Sequence, residues 1–257
     1  MQSHITIQNE KVPALGLGTY LLQGSDGEAA ISLAISLGYR HIDTAQFYRN
    51  EDVVGNAIKK SGITRKEFFI TTKVWTSEFT KSRFLPSVEN SLRQLKSDYV
   101  DLLLLHWPSD DHANDTAIEL LQECHEKKYT RLMGVSNFNM EQLKKAQRKI
   151  PVFCNQVEYH PFIDQHKMVK YLQDNDMLIT AYTPLARGKV GSNSTIVSIA
   201  KKYGRTPAQV TLQWLLRQKN VSPIPKAGNE THLKENLEAL NFEISNEDAE
   251  AIAKIKS

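Results

Sequence analysis

The sequence predicts an α/β chain that closes into a (β/α)8 TIM barrel, and three observations lead there. Short apolar runs alternate with amphipathic stretches from one end of the chain to the other, eight times over. Strands that alternate with single helices imply right-handed crossovers and a parallel sheet. A chain of 257 residues also has the size of such a barrel, which typically takes about 250.

The apolar runs read as strands cover 15–18, 39–42, 68–72, 100–105, 132–135, 152–155, 178–182 and 221–224. Between them, residues 28–37 place Ala29, Leu33 and Leu37 on one helical face. Thr64, with Glu67 three residues on, reads as a capped turn. Asn114 or Asp115 is expected to cap a helix over 116–126, and Pro207 to occupy the first turn of one over 207–218. Two helices are extra to the repeat, 194–203 and 246–256. Ile5-Thr-Ile7 followed by Val12-Pro13 suggests a short hairpin ahead of the first barrel strand. No linker, low-complexity tract or composition shift interrupts residues 1–257, so one domain is expected. A doubly wound Rossmann sheet is disfavoured. Gly16-Leu-Gly18-Thr-Tyr-Leu lacks the third glycine of its fingerprint, and no Tyr has Lys four residues later.

Composition narrows the function classes. Forty percent hydrophobic and 24% charged residues are ordinary for a soluble globular protein, and a net charge of +3 is too small to argue for nucleic acid. Lys144-Lys145-Ala-Gln-Arg148-Lys149 reads as a solvated helix face. Cys124 and Cys154 lie in apolar contexts without a CxxC pair, which suits a reducing compartment. With no signal peptide and no apolar run beyond Leu102–Leu105, a cytoplasmic protein without membrane association is expected.

Four polar residues stand at the ends of consecutive strands: Asp43 and Tyr48 after the second, Lys73 at the third, His106 at the fourth. Singly, each has a plain reading as a helix cap, a packing aromatic, a surface cation or a core histidine. Together, at corresponding carboxyl ends, they would share one rim. A phenol, an ammonium, a carboxylate and an imidazole are what a metal-free carbonyl reductase needs. A tyrosine ordinarily titrates near about 10, and an ammonium about 4 Å away contributes roughly 4 kcal/mol toward the phenolate, about three pKa units. That would bring Tyr48 into the working range of a general acid.

The motifs then converge on a family. Leu-Gly-Leu-Gly-Thr-Tyr at 15–20, Gly-Tyr-Arg-His-Ile-Asp-Thr-Ala at 38–45, Leu-Leu-His-Trp-Pro at 104–108 and Gly-Val-Ser-Asn-Phe at 134–138 resemble the aldo-keto reductases. So do Asn-Gln-Val-Glu-Tyr-His-Pro at 155–161, Ala-Tyr-Thr-Pro-Leu-Ala-Arg-Gly at 181–188 and Ile-Pro-Lys at 224–226. The likeness spans nearly the whole chain and is nearest in flavour to bacterial 2,5-diketo-gluconate and methylglyoxal reductases. It implies that Asp43, Tyr48, Lys73 and His106 form the catalytic set, acting on small aldehydes and ketones with NADPH/NADP+ and no metal. Gly18, Thr19, Asp43, Ser136, Asn137, Gln156, Tyr182, Thr183, Leu185, Lys226, Glu235 and Asn236 would hold the cofactor. Among these, Ser136, Asn137 and Gln156 would meet the carboxamide and Tyr182 the nicotinamide ring, although Tyr182 alone could equally be a packing aromatic. Lys226 would meet the 2′-phosphate. Glu235 and Asn236 would reach adenine, an exposed helix face being the alternative. Tyr20, Phe47, Trp75, His106 and Trp107 would line the substrate pocket.

The chain departs from the family pattern in two places. Ala227 and His232 stand where a serine and an arginine are usual, which should weaken but not abolish the preference for NADPH over NADH. The sequence stops at Ser257, directly after the last predicted helix, and an open pocket of broad scope and weak KM is expected. A monomer is expected. A metal-dependent hydrolase built on His41, Asp43, His106 and His160 has little support. Gly134-Val-Ser136-Asn-Phe is no nucleophile elbow. A non-catalytic, cofactor-binding regulatory barrel is the rival reading.

Overall fold

The computed structural model describes residues 3–255. It opens on a hairpin, β1 (His4–Ile7) against β2 (Glu10–Pro13), antiparallel across a turn in which Gln8 and Asn9 take φ of 48° and 68°. Two successive positive φ values suit the right-handed twist of the paired strands. The repeat follows: β3 (Leu17–Gly18), α1 (Gly24–Ser36), β4 (His41–Asp43), α2 (Glu51–Lys60), β5 (Phe69–Val74), α3 (Phe84–Leu95), β6 (Val100–Leu105), α4 (Asp111–Glu126), β7 (Thr130–Ser136), α5 (Met140–Gln147), β8 (Cys154–Glu158), α6 (His166–Asp174), β9 (Ile179–Tyr182), α7 (Ser194–Tyr203), α8 (Pro207–Leu216), β10 (Val221–Pro223), α9 (Glu230–Glu238) and α10 (Asn246–Ala253). Helices α7 and α10 are the two extra to the repeat. The predicted helix end at Lys256 and the terminus at Ser257 lie outside the described residues.

Strands β3 to β10 pair in sequence order, every ladder parallel. The sheet closes where Gly16 N–H donates to the Pro223 carbonyl (3.0 Å) and Gly18 N–H to that of Pro225 (3.1 Å). Closure brings backbones so near that a Cβ on Gly18 would stand 2.7 Å from the Ile224 carbonyl oxygen. No side chain fits there. Strand β6 shows how the layers divide. Leu103 and Leu105 face the helices, whereas Leu102 and Leu104 point into the barrel beside Phe69, Phe153 and Leu178. Ile7 and Val12 of the hairpin, both fully buried, join that interior cluster and plug the amino end.

Start signals behaved unevenly. Thr206 accepts from Gln209 N–H in a reciprocal capping box, with Pro207 in the first turn. At α4 the expected cap is corrected: Asp110 accepts from Ala113 N–H and starts the helix at Asp111. Asn114 lies inside the helix, buried, its amide returned to the backbone of Ser109. Thr64 donates to the Glu67 carboxylate rather than accepting from a backbone N–H, so the capped turn there is one turn of 3-10 helix over Arg65–Glu67.

Candidate active site

The four strand-end residues meet. Lys73 is fully buried at the end of β5, and each of its three protons has an acceptor. Nζ donates to Asp43 Oδ1 at 2.5 Å, to the Thr44 carbonyl at 2.8 Å and to the Tyr48 hydroxyl at 3.4 Å. Asp43 ends β4, and Tyr48 closes a one-turn 3-10 helix over Gln46–Tyr48 that swings the phenol back over the mouth. The His106 ring lies edge-on to Tyr48, centroids 5.7 Å apart, and its Nδ1 is buried without a hydrogen-bond partner.

Burial works against the Lys73 ammonium, but the Asp43 carboxylate and the Tyr48 phenol together outweigh it and hold the pKa above the ordinary lysine value. Burial pushes the Asp43 carboxyl up against the pull of Lys73 and of the Gln156 amide. It also pushes the His106 imidazole down to about 3, the Lys73 cation adding to the effect, so His106 is neutral. Tyr48 requires a correction. Burial raises its pKa above 10, Lys73 offsets this in part, and Asp43 opposes Lys73. The expected drop into the working range does not occur in the resting site. The phenol keeps its proton, with the Lys73 ammonium 3.4 Å from its oxygen.

A second chain of contacts runs from the tetrad across the mouth. Gln156 Nε2 donates to Asp43 Oδ2 (2.8 Å), and the Ser136 hydroxyl donates to the Gln156 carbonyl (3.0 Å). Asn137 Nδ2 donates to the His106 carbonyl (3.1 Å) and to Ser136 Oγ (3.0 Å), and the Tyr182 hydroxyl donates to Asn137 Oδ1 (2.8 Å). This pins the half-buried Tyr182 ring as a fixed platform. Thr19 is buried and donates to the Asp43 carbonyl. Thr183 has φ of 50°, an outlier for a β-branched residue. Asn137, Arg49, Ala186 and Arg187 also have positive φ beside the strand ends, the kind of backbone strain that collects at functional sites. Leu185 is half-buried in the loop after β9, and Lys226 stands exposed after β10. Glu235 is half-buried on α9, whereas Asn236 is buried on the same helix, beside the Leu233 carbonyl to which the Tyr39 hydroxyl donates (3.0 Å), a packing environment the sequence did not suggest.

Aromatic rings wall the mouth. Phe47 stacks on Trp75 at 4.3 Å, Trp75 meets His106 edge-on at 5.1 Å, and Tyr20 tilts against Tyr48 at 5.1 Å. Tyr20, Phe47 and Trp107 are largely exposed, as is Leu21, which the sequence reading passed over. Two more residues escaped it. Asn50, fully buried, donates to the Thr19 and Leu22 carbonyls and accepts from Thr44, tying the loops after β3 and β4 together. Gln46 accepts from the Trp75 backbone. An amide in a loop carries no sequence signal that separates such a tie from a solvated side chain.

His41, Asp43, His106 and His160 do not converge on a metal site. His41 lies deeper in the barrel, its ring nitrogens 3.4 Å from Thr71 and Ser222 hydroxyls, and His160 pairs with Glu158. Among the described residues no group of three His, Cys, Asp or Glu side chains could hold a metal ion, and no helix is long and apolar enough to cross a membrane. Cys124 and Cys154 are buried free thiols, each pushed up to about 12 by burial.

The Aldo/keto reductase family model matches residues 14–257. The methylglyoxal reductase DkgB of Escherichia coli O157:H7 is 39% identical over 247 residues, covering 94% of this chain and 92% of that protein. The glyoxal reductase of Bacillus subtilis strain 168 is 38% identical over 245 residues, 94% of this chain and 88% of its own. A crystal structure designated a candidate 2,5-diketo-D-gluconic acid reductase B superposes with a TM-score of 0.96 at 40% identity, covering 100% of this chain and 92% of that one.

Proposed function

The chain belongs to the aldo/keto reductase family, and from that premise we propose that it is one catalytic domain reducing small aldehydes and ketones to alcohols with NADPH. The observation that carries the reading is the Lys73 ammonium, buried and bonded at once to Asp43 and to the Tyr48 hydroxyl. An ionised amine buried in the mouth of a barrel is expensive to keep, and beside a protonated phenol it has a use.

In the proposed reaction His106, neutral at working pH and edge-on to the Tyr48 ring, orients the carbonyl oxygen toward Tyr48. Tyr48 delivers its proton to that oxygen, and Lys73 stabilises the phenolate left behind. Asp43 keeps Lys73 charged and aimed. The nicotinamide, when bound, supplies the hydride. The pinned Tyr182 ring and the Ser136–Asn137–Gln156 run fit a flat ring with an amide substituent, and these residues, with Gly18, Thr19, Thr183 and Leu185, would hold it. Lys226 would meet the 2′-phosphate, and Glu235 would face adenine beside Asn236. The relatives named for methylglyoxal and glyoxal suggest small dicarbonyls as substrates, and the aromatic wall suits aryl aldehydes as well.

Replacing Tyr48 by Phe tests the assignment. We expect NADPH consumption with methylglyoxal, 2,5-diketo-gluconate and aromatic aldehydes to fall by at least about 100-fold, with far-ultraviolet circular dichroism and cofactor binding retained. Wild-type turnover by Tyr48→Phe would overturn it. A wild-type protein that binds NADPH and turns over none of the panel would favour the regulatory barrel.

A further inference from the structure

Phe47 and Trp75 form the wall beside His106, yet core packing does not back them. Phe47 is half exposed. Behind the pair runs an open groove of about 1040 Å³, lined by both rings together with Gln46, Arg83, Ser87 and Asn90. Rings that face solvent on the rear side can swing unless something else holds them.

The same groove contains the tether. Strand β5 ends at Val74, whose carbonyl takes the His106 N–H. Beyond that rung the Trp75 N–H turns to a side chain and donates to Gln46 Oε1 at 3.0 Å. The other end of the Gln46 amide is anchored on α3, Nε2 lying 3.1 Å from Ser87 Oγ and 3.2 Å from Ser91 Oγ. Those hydroxyls are themselves fixed by the carbonyls of Phe84 and Ser87. One carboxamide therefore joins the turn that carries Phe47 and Tyr48, the strand end that carries Lys73 and Trp75, and a helix of the outer layer.

We propose that Gln46 is a positioning residue that registers Trp75 against Phe47, and so sets the width of the slot into which an aryl aldehyde passes on its way to His106. The inference rests on the reductase reading above. Gln46 touches none of the four reacting side chains, so its loss should be felt in how well a ring is gripped rather than in the chemical step. A two- or three-carbon dicarbonyl spans less of the wall and should be less affected.

The experiment is steady-state kinetics on Gln46→Leu, which keeps the bulk and removes the three contacts, in wild-type and Trp75→Ala backgrounds. The substrates are 4-nitrobenzaldehyde and methylglyoxal. Losing the tether should raise KM for the aryl aldehyde about five- to tenfold, with kcat within twofold and KM for methylglyoxal changed less than twofold. In the Trp75→Ala background the same substitution should add nothing. Gln46→Asn keeps an amide but withdraws it by one methylene, and serves if the leucine variant does not fold. An unchanged KM, an equal shift for both substrates, or an undiminished effect without Trp75 overturns the inference. A lowered Tm with unaltered KM also overturns it, since that is a purely structural role. A wild-type enzyme that reduces both aldehydes alongside an indifferent Gln46→Leu removes this inference alone, whereas an inert wild type removes the reductase reading with it.

Discussion

Replacing Lys73 by Met separates the two roles its ammonium would play. The ammonium lies 3.4 Å from the Tyr48 hydroxyl and is fully buried. At an effective dielectric of about 20 its attraction for the forming phenolate is about 5 kcal/mol. If proton transfer is half complete at the transition state, about 2.5 kcal/mol of that is realised there, so kcat falls roughly 70-fold. The methionine also strands Asp43, bonded now to Gln156 alone, in a buried site, and leaving one partner of a buried ion pair costs about 3–5 kcal/mol. Thermal unfolding should therefore drop by about 10 °C. Kinetics at 15–20 °C keep that loss out of the rate. The assay is NADPH oxidation with saturating methylglyoxal in H2O and in D2O, and the solvent isotope effect should grow as proton delivery becomes limiting. A variant with kcat within twofold of the wild type and an unchanged isotope effect would refute the role of Lys73 in steadying the phenolate.

Three further outcomes are expected. His41 is buried and its pKa is pushed down to about 3, so the folded state refuses a proton that the unfolded chain accepts below about 6.5. Stability from this group is present at neutral pH and lost as pH falls from about 6.5 toward 3, amounting to about 2 kcal/mol between pH 7 and 5. Asp43 and Glu51, both raised by burial, act with the opposite sign. The difference in urea stability between wild type and His41→Gln, taken at the two pH values, isolates the histidine, and a pH-independent difference would contradict its depressed pKa. Gly18→Ala forces a Cβ onto the Ile224 carbonyl and should destabilise by about 1–3 kcal/mol. Denaturant midpoints at wild-type level would show that the seam yields. Lys226→Met should narrow the ratio of kcat/KM for NADPH over NADH roughly tenfold, for a lost contact of about 1.5 kcal/mol. An unaltered ratio places 2′-phosphate recognition elsewhere.

The barrel was legible because burial on two sides leaves a strong mark on a sequence. Val100–Leu105 is apolar almost throughout, and its strand begins and ends where the run does. Boundaries blurred where backbone groups pair outside the ladder. Residues 15–18 read as a strand, yet Gly16 and Gly18 give their N–H groups to the Pro223 and Pro225 carbonyls across the closing seam, and the ladder with β4 shrinks to Leu17–Gly18. The α4 start was misplaced because Ser109-Asp110-Asp111-His112 offers several capping side chains and no apolar residue to choose among them. The convergence of Asp43, Tyr48, Lys73 and His106 could be read from strand-end spacing. The direction of the Tyr48 shift could not, because it depends on how deeply the phenol is buried and on Asp43 standing behind Lys73. Gln46 and Asn50 were invisible for a related reason: their partners are backbone groups and small hydroxyls, which nearly every stretch of chain offers.

The hairpin that stoppers the amino end of the barrel has a bearing on traffic. With Ile7 and Val12 wedged among Phe69, Phe153 and Leu178, the floor of the barrel is filled by side chains among the described residues. A ligand of Tyr48 therefore approaches from the rim, an outcome set by a few apolar side chains remote from the chemistry.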